Sequence, residues 1–336
     1  MSKRSAKPAA SATRPVQGGK PGEAPITPLG IPRDVKTLVV FGGSFDPPHF
    51  MHVVAPITTV VRLYGPKEGW LLYVPAARSP HKRSVVAPDD HRLAMLRLAI
   101  DIPGPRSIWT DELDRARWQR DHKHKPPPSY TIDTLRRLRS IVPARVKLRL
   151  LIGSDQVWEF HRWRQPREII RLAEPLVLMR EPTERVSSVF SALDDGFWTR
   201  EEKRAWCTRL APNFPLEAAS TSVREAIPGA PRNAESWKRR KALRDLPTPV
   251  ARHIIAHNLY GFREGPALRL APESMPRALT GDAPDAMERV RRSVLSNLAT
   301  GFLPMNTSPK RLKGATSLRE STPRRTRGNG RRRSRS

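Results

Sequence analysis

The chain of 336 residues has one cysteine, Cys207, and no apolar run of membrane-spanning length. A lone cysteine excludes an internal disulfide framework and suits a reducing compartment. A spanning helix needs about 20 apolar residues in succession, so no membrane anchor is expected and the expected location is cytoplasmic. The opening stretch "MSKRSAKPAASATRPVQGGKPGEAP" lacks the apolar centre of a secretory signal. Being basic and poor in acid, it leaves a transit peptide and plain disorder open, with disorder favoured. Acidic residues are scarce throughout, 32 against 61 Lys and Arg, for a formal net charge of +29. Residues 1–36 hold 7 basic and 2 acidic side chains and residues 262–336 hold 17 and 6, so the stretch between still carries +13. A basic core suits an anionic ligand such as a nucleotide, a phosphorylated metabolite or nucleic acid.

Residues 1–36 and 306–336 contain too few large apolar side chains to build a core and read as disordered basic arms. Between them, "KTLVVFGG", "GWLLYVP", "VKLRLLIGSD" and "EPLVLMRE" are short apolar runs that end in glycine, proline or charge, the pattern of buried parallel strands. "DDHRLAMLRLAI" and "SYTIDTLRRLRSIV" repeat apolar residues at helical spacing. Alternation of the two predicts a doubly wound, Rossmann-like α/β sheet over residues 37–261, with helices on both faces and a small helical C-terminal part. Residues 262–305 read as a linker carrying one amphipathic helix, whose face is Met287, Val290, Val294, Leu295 and Leu298.

The stretch "VFGGSFDPPHFMHVV" carries the chemistry. In a doubly wound sheet the first strand-to-helix turn receives phosphate, and Gly42 and Gly43 let backbone approach an anion without a Cβ between them. The spacing is neither the GxGxxG of dinucleotide-binding turns nor a Walker A loop, because no Gly-Lys-Ser/Thr follows. His49 and His52, three apart, would project from one face of a helix entrance, where imidazoles can donate to phosphoryl oxygens. A solvated surface pair or half a metal site are the competing readings, and no third ligand of convincing spacing stands nearby. Pro56 must fall in the first turn of that helix or kink it.

"GGSFDPPHFMH" resembles the GxFDPxHxGH motif of the nucleotidyltransferase superfamily. "VPAARSPHKR", "HRLAMLRLAI", "PPSYTIDTLRRLR", "LLIGSDQVWEFHRWRQPREI", "EAASTSVREAI" and "LPTPVARHIIAHNLY" are similar, in order, to segments of bacterial nicotinate-nucleotide adenylyltransferases. The resemblance covers about residues 37–261. It departs from the family at Met51, where the motif has glycine, at Ala77, where asparagine is frequent, and at Ala218 and Ala219, where ISSTxIR has Ile and Ser.

The resemblance implies adenylyl transfer from ATP to nicotinate mononucleotide, with Mg²⁺ held through the ATP phosphates and no dedicated metal site in the protein. It implies that His49, His52 and Arg224 are catalytic, and that Gly42, Gly43, Ser44, Phe45, Gly153, Ser220 and Thr221 bind ATP. His81, Lys82, Thr131, Asp155 and Trp163 are implied to bind the mononucleotide. Without the resemblance Arg224 would read as a surface residue, Asp155 as a helix N-cap and Trp163 as packing. One alternative keeps the fold and changes the acceptor to nicotinamide mononucleotide or phosphopantetheine, although phosphopantetheine enzymes typically carry Thr where His49 stands. Another is a nucleic-acid-binding protein on a retired enzyme fold, with the basic tails binding polyanions non-specifically.

Overall fold

A computed structural model of the chain describes residues 23–80, 86–179, 191, 193, 196–211 and 219–263. The expected amphipathic helix with Met287 to Leu298 on its face, the arm up to residue 22 and the Arg/Ser-rich tail lie outside the described residues, as do His81, Lys82 and Ala218.

The apolar runs form strands β1 (Thr37–Gly43), β2 (Gly69–Pro75), β4 (Lys147–Gly153) and β5 (Glu174–Leu178), joined by a three-residue β3 (Arg106–Ile108). Among the described residues these five make one sheet in the order β3-β2-β1-β4-β5. Every pairing is parallel; β1 lies in register with β2 from Thr37↔Gly69 to Gly43↔Pro75 and with β4 from Thr37↔Lys147. After β1 the chain builds outward on one side, then returns to add β4 on the other. The connections therefore diverge at the carboxyl ends of β1 and β4, which opens a crevice there.

Strand residues alternate between two cores, as the two-residue period of a strand dictates. Val39, Phe41, Leu71 and Tyr73 face one way. They pack with Ile57 and Val60 of α1 (Phe50–Glu68), Met95 and Leu96 of α2 (Asp89–Ala99), and Val250 and Ile254 of a late helix, Thr248–Ala256. Leu38, Val40, Leu72 and Leu150 face the other way, against Ile132, Leu135 and Leu138 of Thr131–Ile141 and Ile169 of Pro166–Leu172. Both faces are covered, which is why these strands read as unbroken apolar runs. Among the described residues no helix is long and apolar enough to cross a membrane.

Residues 23–36 depart from the expected arm. Ala24, Ile26 and Val35 are buried, and the Trp109 indole donates to the Thr27 carbonyl at 2.9 Å. Asp111, fully buried, accepts from the Thr27 amide at 3.0 Å and from the Arg137 guanidinium at 2.7 and 2.8 Å. Arg137 also donates to the carbonyls of Ala24 and Pro25. Partners more than 80 residues away order a segment whose own composition could not.

Candidate active site

The sequence after β1 turns on Gly42–Gly43–Ser44–Phe45. Phe45 takes the left-handed region (φ 49) and buries its ring edge-on to Phe41 and Tyr73. That ring is why Gly43 has no side chain: a Cβ there would sit 3.1 Å from the Phe45 ring tip. Gly42 has no such neighbour and faces the crevice instead.

Arg92 holds this turn from beneath. Fully buried, it donates to the Ser44 carbonyl at 2.6 Å, to the Ala76 carbonyl at 2.8 Å and to the Asp89 carboxylate at 2.7 Å. A buried charge is tolerated only when paired and hydrogen-bonded in this way. Asp46, also buried, accepts from the amides of Val86 and Ala87 and from the Tyr260 hydroxyl at 2.7 Å. Burial and the adjoining Asp46 carboxylate push the Tyr260 phenol well above its ordinary value. Sequence reading assigned no role to Arg92, Asp46 or Tyr260; apart from the Arg92–Asp89 pair, their partners stand 16 to 214 residues away.

The helix Ser220–Ala226 closes the turn from above. Arg224 donates to the Asp46 carbonyl at 2.6 Å and to the Thr221 hydroxyl at 3.2 Å, while the Ser220 hydroxyl donates to the Pro47 carbonyl at 3.1 Å. Ala219 occupies the N-cap of this helix with no side-chain oxygen to offer.

His49 is the N-cap of α1 and His52 its third residue, with rings 3.9 Å apart. The His49 amide donates to His52 Nδ1 at 3.3 Å, which leaves the proton of the neutral imidazole on Nε2. The first amide of the helix, that of Phe50, is satisfied by the Asp245 carbonyl. Because the helix starts at Phe50, Pro56 lies in its second turn, not its first. The backbone breaks at Gly65 (φ 75) and stays helical at Pro56. Met51, in place of the motif glycine, is buried in the core beside α1 and is absent from the residues lining the crevice.

Two cavities meet here. The first is lined by Gly42, Gly43, Ser44, Phe45, His49, His52, Gly153, Asp155, Ser220, Thr221 and Arg224 among others. The second runs beneath the loop after β2 and is lined by Ser79, Pro80, Glu112, Ser129, Thr131 and Trp163 among others. Both share Gly42, Gly43, Ser44 and Gln156. Asp155 is exposed in the short helix Ser154–Val157, whose N-cap is Gly153, so the N-cap reading of Asp155 does not hold. Thr131 opens the helix Thr131–Ile141, and Trp163 stacks on Phe160 at 4.8 Å. Mutual hydrogen bonds between Ser129 and the Arg78 backbone tie the two motif segments together along the second cavity. Glu112, missed in the sequence because its helix Asp111–Asp121 is almost wholly polar, accepts from Thr134 at 2.5 Å; burial pushes its carboxyl above the ordinary range.

The Cytidylyltransferase-like family model matches residues 40–226. A Chloroherpeton thalassium protein named "Probable nicotinate-nucleotide adenylyltransferase" is 31% identical over 234 residues, 67% of this chain and 98% of the relative. An Aquifex aeolicus protein of the same name is 36% identical over 143 residues, 43% of this chain and 77% of its own. A solved structure of the Plasmodium falciparum nicotinic acid mononucleotide adenylyltransferase covers 68% of this chain and 98% of its own at 16% identity and a TM-score of 0.45, a distant likeness. The matched residues run from the apolar strand before the glycine turn to the helix that clasps it, and by that match the chain belongs to the cytidylyltransferase-like nucleotidyltransferases and, among them, to the nicotinate-nucleotide adenylyltransferase family.

Proposed function

We propose that the protein transfers the adenylyl group of ATP to nicotinate mononucleotide, releasing pyrophosphate and giving nicotinate adenine dinucleotide for NAD biosynthesis. The carrying observation is the pair of cavities joined at Gly42–Ser44, one walled by imidazoles, hydroxyls and Arg224, the other by Thr131 and Trp163. Two substrates seated in them would meet at the glycine turn.

The attacking group is a phosphate oxygen of the mononucleotide, already anionic, so no general base is needed. It bonds to the α-phosphorus as the bond to the bridging oxygen breaks, and that electron pair leaves on pyrophosphate. Catalysis is then positioning and charge neutralisation. His52 would donate from Nε2, and His49 beside it would contact the same phosphates. Arg224, with Ser220 and Thr221, would hold the departing pyrophosphate; a planar guanidinium donates in pairs and suits that role. Gly42, Gly43, Ser44, Phe45 and Gly153 would line ATP, and Asp155 would accept from a ribose hydroxyl. Thr131 and Trp163 would take the pyridine ring, with His81 and Lys82 on the mononucleotide phosphate.

Asp155 is the one carboxylate among the described residues lining the first cavity. That fits Mg²⁺ held mainly by ATP's own oxygens, as this ion usually is beside phosphates. Bound there, Mg²⁺ would neutralise phosphate charge.

A steady-state assay of pyrophosphate release with three acceptors tests the reading. Nicotinate mononucleotide should exceed nicotinamide mononucleotide and phosphopantetheine in kcat/KM. Equal or better turnover of phosphopantetheine overturns it.

A further inference from the structure

Three of the nine histidines converge away from the crevice. His91 lies in the first turn of α2, and His253 and His257 lie four apart at the end of the helix Thr248–Ala256. One ligand nitrogen from each falls within 4.8 Å of the other two. His91 Nδ1 and His253 Nε2 are 3.1 Å apart, although 162 residues separate them in sequence.

We propose that His91, His253 and His257 form a binding site for a transition-metal dication, with zinc the best fit, independent of the adenylyl-transfer site. Zinc takes imidazole nitrogens at about 2.0–2.1 Å in tetrahedral geometry, which puts ligand nitrogens roughly 3.3 Å from one another. The His91–His253 pair already has nearly that spacing. The i, i+4 pair on one helix face presents two imidazoles to a single point. His257 is exposed at the helix end, so a small side-chain rotation brings it in. Three nitrogens and no thiolate favour zinc, copper, nickel or cobalt over magnesium or calcium, which prefer oxygen.

Three protein ligands leave a fourth position for water.

The ion would join two helices that hold the glycine turn. α2 carries Arg92, one residue after His91, to the Ser44 carbonyl, and the chain after His257 carries Tyr260 to the Asp46 carboxylate. Neither connection takes the metal into the reaction. Its expected effect is to hold α2 against the late helix.

The test uses the full-length chain, stripped with chelator and titrated with Zn²⁺ alone and with Co²⁺ alone. One equivalent of each should bind, and Co²⁺ should give the intense visible absorption of a four-coordinate site. Zn²⁺ should raise the thermal midpoint. His91→Gln, His253→Gln and His257→Gln should each weaken binding by about 100-fold or more, the loss expected when a site is reduced to two protein ligands. The exposed His257 makes its variant the one least able to disturb folding, and circular dichroism of each chelator-treated variant checks that it is folded. A His49→Ala/His52→Ala double variant should bind Zn²⁺ as the wild type does. The proposal fails if no stoichiometric ion binds, if the His257 and His253 variants bind as tightly as wild type, or if binding disappears in the His49/His52 variant instead.

Discussion

The hydroxyl of Tyr73 donates to the carbonyl oxygen of His52 at 2.9 Å. That carbonyl is four residues before Pro56, so in an ordinary helix it would accept from the amide that proline lacks. Tyr73, fully buried at the centre of β2, supplies the donor from the sheet. A catalytic candidate at the third position of α1 is thus fixed by a strand residue.

Removing that hydroxyl should be felt at the active site. Tyr73→Phe should destabilise the protein by about 1–3 kcal/mol, the range for a polar group deprived of its partner, and lower kcat with little change in KM. Adding Pro56→Ala restores an amide to the same carbonyl, so the double variant should recover much of both losses. Additive losses in the double-mutant cycle would show that Tyr73 acts in some other way.

His52→Ala should lower kcat by about a hundredfold or more, the scale for losing one preorganised donor to a developing negative charge. His52 is partly exposed and lines the crevice, so the unfolding midpoint should change little. Near-wild-type turnover would remove His52 from the mechanism.

Glu112 makes stability depend on pH. Burial is the largest influence on its carboxyl and raises it above the ordinary 4.5, against the opposing pull of Thr134 and Arg115. The folded chain therefore binds this proton more tightly than the unfolded chain. The stability that Glu112 contributes is complete below the unfolded value and is lost as pH rises through the folded one. Glu112→Gln keeps an oxygen for the Thr134 hydroxyl and removes the buried charge. Its gain in thermal midpoint should be larger at about pH 8 than at about pH 5. An equal effect at both would mean that the carboxyl titrates normally.

Ala219 stands at an N-cap with extended backbone (φ −128, ψ 130), the conformation that capping serines adopt. Ala219→Ser should stabilise the helix Ser220–Ala226 by about 1 kcal/mol. Chemical denaturation of the two proteins measures it. No gain would mean that the helix amides are already satisfied by other groups.

The strands, the sheet class and the glycine turn were legible from neighbouring residues, because a strand buried on both faces must be a continuous apolar run and a tight turn must use particular residues. β1, β2, β4 and β5 each fall within one of the quoted runs. β3, three residues long, and the polar helix Asp111–Asp121 carry no such local pattern. The motif histidines and the Ser-Thr-x-x-Arg segment could be named from their spacing and resemblance. That Ser220 and Arg224 clasp the carbonyls of Pro47 and Asp46 was decided only in three dimensions. The same holds for Arg92 under the turn, for residues 24–27 held by Asp111 and Arg137, and for the three histidines that meet across two helices. A buried polar group is stable only when it is partnered, and local sequence carries no record of which distant groups the fold will bring to it.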